Sequence, residues 1–269
     1  MLDQVGDLVR EVAATVVLPR FRRLSAAEVR QKAPGDLVTV ADHEAERALS
    51  RGLSALLPDS VVVGEEAVAA DPAVLRRVGS RGAVWIVDPI DGTNNFAAGK
   101  TPFTIMVALV RDGEPVASWI LDVVGDRLTL AEAGSGAYRD GVRVKTRTDD
   151  PGAAALRGVV ARHYLPPRLR SVAAANAHAF GQVTNGHHCA GYEYPAVATD
   201  EQQFAVFWRL LPWDHVPGSL ILREAGGTVR HLDGTPYRPT DSERGLLVAP
   251  NGDIWCTVRD TLFPDPTIF

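Results

Sequence analysis

Carboxylates follow two apolar segments of the chain, at the points where both segments are predicted to end as β-strands. Asp88 and Asp91 close the apolar start of residues 85–96, "WIVDPIDGTNNF", and Glu65 follows "SVVVG". Mg²⁺ prefers oxygen ligands, and proteins usually supply a few carboxylates and leave water on the other positions. If the two strands are neighbours, their ends lie at one edge of a sheet. The pattern therefore predicts a site for a divalent cation.

A fourth candidate carboxylate lies in the far half of the chain. Asp214 stands at the predicted start of the helix "WDHVPGSLILREAGG". Each motif also has a simpler interpretation when it is taken alone: Asp214 as a helix N-cap, "DPID" with Gly92 as a solvated turn, and the glutamate pair as the charged end of a strand. Carboxylates that converge raise one another's pKa unless a cation compensates their charge. The metal interpretation therefore depends on their meeting in space.

The turn after Asp91 adds groups that suit a phosphate. Gly92 allows the backbone to approach an anion closely, and Thr93 offers a hydroxyl. If a helix begins here, its first N–H groups point toward the ligand. A metal, a phosphate cradle and an activated water together describe the hydrolysis of a phosphate ester.

Helices and short strands must position these groups in the first half of the chain. Apolar spacing predicts an amphipathic helix over residues 3–24, and Pro34-Gly35 is typical of a turn. A second helix is predicted from Asp42, as its N-cap, to Leu57. Residues 71–82 are interpreted as a charged connector, and residues 103–144, with their Asp-Gly and Gly-Asp turns, as an antiparallel meander.

The second half of the chain alternates strands and helices. A strand is predicted over residues 156–164, a helix over 168–181, a helix running into a strand over 195–208, and the Asp214 helix over 213–227. The polar segment "KTRTDDPG" interrupts the strand pattern before this series. We therefore expect an N-terminal α+β half (1–147) that carries the metal motifs and a C-terminal α/β half (148–269) that supplies Asp214 and the substrate pocket.

Composition limits the class of partner. The 269 residues carry a net charge of −5, so no basic excess is present to neutralise nucleic-acid phosphates. The N-terminal segment has acids in place of a basic signal region and no apolar run of membrane-spanning length, which indicates a cytoplasmic protein without a membrane partner. Cys189 and Cys256 are far apart and lack a CxxC pattern, so neither a disulfide framework nor a structural zinc site is predicted.

Four motifs together resemble the inositol monophosphatase family of lithium-sensitive, Mg²⁺-dependent phosphatases, over almost the whole chain. They are "GDLVTVAD" (35–42), "GEE" (64–66), "WIVDPIDGTNNF" (85–96) and "WDHVPGSLILREAGG" (213–227), in the order and spacing of the family. The resemblance implies a layered α-β-α-β-α sandwich, usually dimeric. It also implies a phosphate monoester hydrolase that acts on a small phosphorylated metabolite.

The resemblance also implies a metal role for each matched residue. Glu65, Asp88 and the Ile90 carbonyl would bind a first Mg²⁺, and Asp88, Asp91 and Asp214 a second, with two to three ions per site. Glu66 would support the site or bind a weaker third ion through water.

Catalytic roles follow from the same resemblance. The predicted catalytic residues are Thr93, Asp42 and Glu65. Thr93, hydrogen-bonded to Asp42, would orient a metal-bound water for in-line attack on phosphorus, and the amides of Gly92 and Thr93 would hold the phosphate. Lys32 is a further candidate for approaching the phosphate.

Two departures from the family concern the substrate. Phe207 stands where many relatives have a glutamate that binds inositol hydroxyls, and "HCAGYEYP" replaces a turn that faces the substrate. The predicted substrate contacts are Asp91, His188, Cys189, Ala190 and Phe207, with Tyr192 or Glu193 as further candidates. A pocket that has exchanged a carboxylate for an aromatic ring has fewer partners for a polyol.

Three kinds of function therefore remain open. The leading interpretation is an inositol-1-monophosphatase-like enzyme. The same chemistry on histidinol phosphate, fructose 1,6-bisphosphate or 3′-phosphoadenosine 5′-phosphate is the alternative. A non-catalytic metal-binding regulatory protein on this fold is the third.

Overall fold

The structure is a computed structural model that describes residues 1–33, 36–241 and 244–265. Two large β-sheets and eight α-helices form its described part. The predicted turn at Pro34-Gly35 lies outside the described residues. It falls between strands β1 (Val29–Ala33) and β2 (Asp36–Thr39), which pair antiparallel.

A seven-stranded sheet carries most of the first half of the chain. Its strands follow one another in sequence order: β3 (Val61–Gly64), β4 (Ala83–Asp91), β5 (Thr104–Arg111), β6 (Glu114–Asp122), β7 (Arg127–Glu132), β8 (Gly136–Arg139) and β9 (Val142–Val144). Strands β3 and β4 pair parallel, and every later pair is antiparallel. The predicted meander over 103–144 is confirmed.

A five-stranded sheet lies in the second half of the chain. Its strands are β10 (Arg157–Val160), β11 (Gln182–Thr184), β12 (Phe204–Phe207), β13 (Thr228–His231) and β14 (Leu246–Ala249), in the spatial order β11-β10-β12-β14-β13. Strands β11, β10 and β12 run parallel, and β14 runs antiparallel to both of its neighbours. The carboxyl ends of the three parallel strands therefore meet at one edge.

The helices agree with most of the sequence predictions. They are α1 (Leu2–Val12), α2 (Val40–Leu56), α3 (Glu65–Ala70), α4 (Thr93–Ala97), α5 (Pro167–Asn176), α6 (Ala190–Ala198), α7 (Pro212–Glu224) and α8 (Gly252–Leu262). The first predicted helix continues beyond α1 as a π-helical turn over Ala13–Val17 and a 3₁₀ turn over Leu18–Arg20. The predicted connector at 71–82 contains a 3₁₀ helix over Pro72–Gly79. None of the helices in the described residues is both long and apolar enough to cross a bilayer.

The two sheets and the helices stack in five layers. Along β4, alternate side chains face opposite sides of the sheet, so Trp85 packs with α1 and α2 while Ile86 packs with α6 and α7. The inner face of the five-stranded sheet, including Val159, covers the other side of α6 and α7. Its outer face, including Val206, packs against α5 and α8. The resulting α-β-α-β-α sandwich confirms the predicted fold class.

The change of sheet falls close to the predicted division of the chain. The last strand of the large sheet ends at Val144, and the first strand of the small sheet begins at Arg157. One hydrophobic cluster nevertheless contains buried residues of both sheets, such as Ile120 and Val248. The division into two domains at 147–148 stays a prediction.

Candidate active site

Three aspartates meet at the end of β4. Asp88 and Asp91 belong to that strand, Asp214 is the third residue of α7, and each offers an oxygen within 4.8 Å of the others. Asp88 is only 1% exposed, and the other two are half-buried. The convergence on which the metal interpretation depends is therefore present.

An irregularity in β4 explains how two residues three apart face one place. In a regular strand, positions i and i+3 point to opposite faces. The pairing register of β4 with β5 shifts between Asp88 and Asp91, within the segment that contains Pro89. The amide of Ile90 donates to Asp88 Oδ1 at 3.0 Å inside this segment. The apolar strand does not end before the aspartates, as the sequence suggested, but includes them.

Glu65 reaches the same pocket from the neighbouring strand. It is the first residue of α3, directly after β3, and β3 pairs with β4 in parallel. Lys32 Nζ donates to Glu65 Oε1 at 2.9 Å and also to Glu66. Lys32, a candidate in the sequence for contacting the phosphate, therefore contacts this glutamate pair. Glu65 lines the pocket without belonging to the group of three aspartates.

Burial and mutual repulsion raise the pKa values of the carboxylates in this pocket. Burial raises the pKa of Asp88 well above its usual range, and the charges of Glu65, Asp91 and Asp214 raise it further. Burial also raises the pKa of Asp91 to about 6 and, against the opposing effect of Lys32, the pKa of Glu65 to about 7. Buried anions of this kind are stabilised by a cation, and oxygen ligands suit hard divalent ions. The donor set therefore fits a divalent metal.

Thr93 and Asp42 form a polar pair beside the aspartates. The Thr93 hydroxyl lies 3.1 Å from Asp42 Oδ1 and 2.9 Å from the Ile90 carbonyl oxygen. The predicted N-cap role of Asp42 is wrong, because Thr39 caps α2 and Asp42 is the third helical residue of a capping box. Both the Thr39 amide and hydroxyl donate to Asp42 Oδ2, at 2.8 and 2.6 Å. The other oxygen, Oδ1, faces Thr93.

Gly92 makes the turn that carries the chain from β4 into α4. Its φ of 87° lies in the left-handed region, and a Cβ atom there would lie 3.1 Å from the Pro102 carbonyl oxygen and 3.3 Å from Cys189 Cβ. A helix begins at Thr93, which meets the condition set for a phosphate cradle in the sequence. Only glycine therefore fits between these groups, and Gly92 and Thr93 both line the pocket.

The predicted substrate contacts line the same pocket. They are Asp91, His188, Cys189, Ala190 and Phe207. Cys189 is buried, its thiol lies 3.5 Å from the Asp91 carbonyl oxygen, and burial raises the pKa of that thiol. The Phe207 ring stacks on Tyr194 at 5.4 Å between centroids and meets His215 edge-on at 4.9 Å. An aromatic wall therefore stands on this side of the pocket.

Glu46 supports the site and was missed in the sequence. It lies one turn after Asp42 on α2, is 7% exposed, and accepts hydrogen bonds from the amides of Glu66 (2.7 Å) and Ala67 (2.8 Å). Burial raises its pKa to about 7. The available signal was its spacing of four from Asp42, on the same helix face as the apolar residues Ala45 and Leu49.

Glu193 organises the loop before α6. It is 2% exposed and accepts hydrogen bonds from the His187 amide and from Gln202 Nε2, each at 2.7 Å. The Gly191 amide of the same helix donates to Asp91 Oδ2 at 2.6 Å. The segment "HCAGYEYP" therefore holds both Asp91 and the loop that carries His188.

Comparison with known proteins agrees with this geometry. The model of the inositol monophosphatase family matches residues 2–260. An inositol-1-monophosphatase of Rhizobium meliloti is 30% identical over 245 residues, which cover 90% of this chain and 88% of that protein. A protein of Xylella fastidiosa named Nus factor SuhB is 28% identical over 232 residues, which cover 82% and 78%.

A solved structure supports the same conclusion. Inositol monophosphatase II of Staphylococcus aureus superimposes with a TM-score of 0.79 at 26% identity, covering 97% of this chain and 92% of that one. Together with the family match over nearly the whole chain, this similarity decides the classification. The chain belongs to the inositol monophosphatase family and is a phosphoric monoester hydrolase.

Proposed function

We propose that the chain is a Mg²⁺-dependent hydrolase of a small phosphorylated metabolite. The convergence of Asp88, Asp91 and Asp214 beside Thr93 carries this proposal. Hydrolysis of a charged phosphate ester needs both charge compensation and a positioned water, and the pocket offers groups for each.

The residues that would hold the metals are those the family resemblance assigns. Glu65, Asp88 and the Ile90 carbonyl would hold a first Mg²⁺, and Asp88, Asp91 and Asp214 a second, with two to three ions in all. The Mg²⁺ ions supply Lewis acidity and lower the pKa of water that they bind. Lys32 binds one oxygen of Glu65, so the orientation of that carboxylate is held by a protein group and its other oxygen would be available to a metal.

The other predicted catalytic groups act on water and phosphate. The Thr93 hydroxyl would position the attacking water, and Asp42, held by Thr39, would position Thr93. The backbone amides of Gly92 and Thr93 would donate to the phosphate oxygens. Glu65 faces the same pocket and completes the proposed catalytic set.

The wall of the pocket argues against a simple polyol substrate. Phe207 offers no hydrogen bond to a hydroxyl-rich ring, and buried polar groups without partners weaken binding. We therefore keep histidinol phosphate, fructose 1,6-bisphosphate and 3′-phosphoadenosine 5′-phosphate as alternatives to inositol 1-phosphate. His188, Cys189 and Ala190 would contact the leaving alcohol.

Partner, assembly and location belong to the proposal as well. The net charge of −5 supports a small-molecule partner and not nucleic acid. Since one relative is named a Nus factor, a gel-shift assay with RNA is a direct check. A homodimer and a cytoplasmic location stay predictions.

The proposal is tested by phosphate release from the four compounds with and without Mg²⁺. Asp214→Asn serves as the blank, and Asp253→Asn, an exposed aspartate on α8, controls for loss of a negative charge. We expect Mg²⁺-dependent release from at least one compound by the wild type and the control, and none by the blank. Release that is equal in Asp214→Asn would contradict the assigned metal role.

A further inference from the structure

A second hollow adjoins the active-site pocket. The two share three wall residues, His163, Asn185 and His188. The remaining walls of the hollow are Arg162 and Arg170, and no carboxylate of the described residues lines it. Because an arginine is charged at any physiological pH, the hollow is cationic where the main pocket is acidic.

The hollow lies at the place where parallel strands end. Arg162 and His163 follow β10, Asn185 and His188 follow β11, and these two strands are neighbours in the small sheet. In sheets with parallel strands, ligands bind in the crevice outside the carboxyl ends. Trp208, which follows the parallel strand β12, lines the adjoining main pocket. The small sheet therefore directs three of its loops toward the substrate.

Arg162 has a donor that the protein does not satisfy. Its Nε is buried and has no hydrogen-bond partner among the described residues. A buried donor without an acceptor is costly, so the guanidinium of Arg162 is not neutralised by the described residues around it. Arg162 therefore gives this wall of the hollow a positive charge that an anion could compensate.

Arg170 is held in place by backbone groups. Its Nη2 donates to the carbonyl oxygens of His163 at 3.1 Å and Leu165 at 3.0 Å. Both bonds use the same nitrogen, so Nη1 and Nε keep donors for a ligand. A guanidinium that is positioned in this way suits the paired oxygens of a phosphate or carboxylate.

We propose that the hollow binds a second anionic group of the substrate. The substrate class is then a phosphate monoester that carries a further phosphate or carboxylate, with the scissile phosphate at the aspartates and the second anion at Arg162 and Arg170. This inference rests on the proposed function, because it assumes that the ester occupies the main pocket. The absence of carboxylates around the hollow, in the part of the chain described, favours an anion over a cation there.

Matched pairs of compounds test the inference by kinetics. Fructose 1,6-bisphosphate is compared with fructose 1-phosphate, and 3′-phosphoadenosine 5′-phosphate with 3′-AMP, in wild type, Arg162→Gln and Arg170→Gln. Arg168→Gln is the control, since Arg168 lies on α5 with Arg170 but its side chain is 70% exposed and does not line the hollow. We expect wild type and control to favour the bisphosphate of at least one pair by about tenfold or more in kcat/KM. Arg162→Gln and Arg170→Gln should bring that ratio close to one, while Arg168→Gln keeps the ratio of the wild type.

A binding measurement separates this inference from the proposed function. Calorimetric titration in Mg²⁺ uses a Thr93→Ala background, with the same four compounds and the same arginine variants. A bisphosphate should bind more tightly than its matched monophosphate, and this preference should be lost in Arg162→Gln and Arg170→Gln but not in Arg168→Gln. That result supports the anion site in the hollow even if the wild type hydrolyses none of the compounds. The lack of hydrolysis would contradict only the proposed function. Equal binding within both pairs, or a preference that survives both substitutions, overturns the inference.

Discussion

Thr93 is the residue on which the proposed chemistry depends most closely. Its hydroxyl lies between Asp42 Oδ1 and the Ile90 carbonyl oxygen, at 3.1 and 2.9 Å. Asp42 is itself held by two hydrogen bonds from Thr39, so protein groups orient its carboxylate toward Thr93. A hydroxyl that donates its own proton to a fixed oxygen can accept a hydrogen bond from water through its lone pairs and so orient that water.

We predict that Thr93→Ala lowers kcat by about a hundredfold or more, the range typical of a lost acid–base or positioning group. Thr93→Ser keeps the hydroxyl and is the matched control, for which most of the activity should remain. Steady-state phosphate release with the best substrate measures both. An Ala variant as active as the Ser variant would exclude Thr93 from the reaction.

A second prediction concerns the pair of His187 and Glu193. The ring Nδ1 of His187 lies 3.1 Å from Glu193 Oε1, and this hydrogen bond raises the pKa of His187. A histidine whose pKa is raised in the folded state stabilises that state below its unfolded pKa and loses the contribution as pH rises through the folded value. The thermal stability lost in His187→Asn should therefore be larger at pH 5.5 than at pH 8.5.

Thermal unfolding of wild type and His187→Asn at both pH values measures this effect. His178→Asn is the control, because that histidine is exposed and contacts only a backbone carbonyl oxygen in the described structure. The same difference in melting temperature at both pH values would show that Glu193 does not hold a charged His187.

At the scale of elements, the meeting of α2, β3 and α3 positions Glu65. The carboxylate of Glu46 on α2 accepts hydrogen bonds from two backbone amides in the first turn of α3, those of Glu66 and Ala67. This cap requires α2 to approach the end of β3 closely. A Cβ atom on Gly64 would collide with the Glu46 carboxylate. The glycine of "GEE" is therefore needed for contact between elements and not for a special φ.

We predict that Gly64→Ala destabilises the protein by about 1–3 kcal/mol, the usual cost of overpacking a close contact. It should also lower activity, since Glu65 follows directly. Gly252→Ala is the control, because a Cβ atom there meets no atom within 4 Å. Urea unfolding gives the free energies. Equal stability of the two variants would contradict the close approach of Glu46.

The sequence predicted the elements better than their contacts. Asp88, Asp91 and Thr93 were recognisable because a strand, a turn and a helix follow one another directly over residues 83–97, where local patterns decide the structure. The N-cap of α2 was placed three residues late, since both Thr39 and Asp42 are good capping residues and the capping box uses both. Glu46 binds amides of another element, α3, so its own helix offered only its spacing of four from Asp42 as a signal. Arg162 and Arg170 lie on different elements and meet only in the folded chain.

At the scale of the whole molecule, one cluster of buried residues joins the two sheets. Helices α6 and α7 lie between the sheets, and α7 carries Asp214 to the end of β4. The candidate metal site is therefore assembled from both halves of the chain. Separation of the halves would remove Asp214 from the other two aspartates and would also expose the shared core.

We predict that the chain unfolds in a single cooperative transition, because separation of the halves would uncover one face of the large sheet and the sides of α6 and α7 that pack against it. The far-UV circular dichroism and the tryptophan fluorescence should give coincident melting curves. Trp85 and Trp119 report on the large sheet, and Trp255 packs in the cluster outside the small sheet. Two separated transitions would show that the halves are independent domains.

The most direct test of the central claim is calorimetric titration of the metal-free protein with Mg²⁺. We predict Mg²⁺ binding by wild type and by the exposed-surface control Asp253→Asn, and a loss of affinity of about tenfold or more in Asp214→Asn, because a carboxylate ligand has been removed. Mg²⁺ binding of equal affinity in Asp214→Asn and the wild type would contradict the claim that the three aspartates form a metal centre.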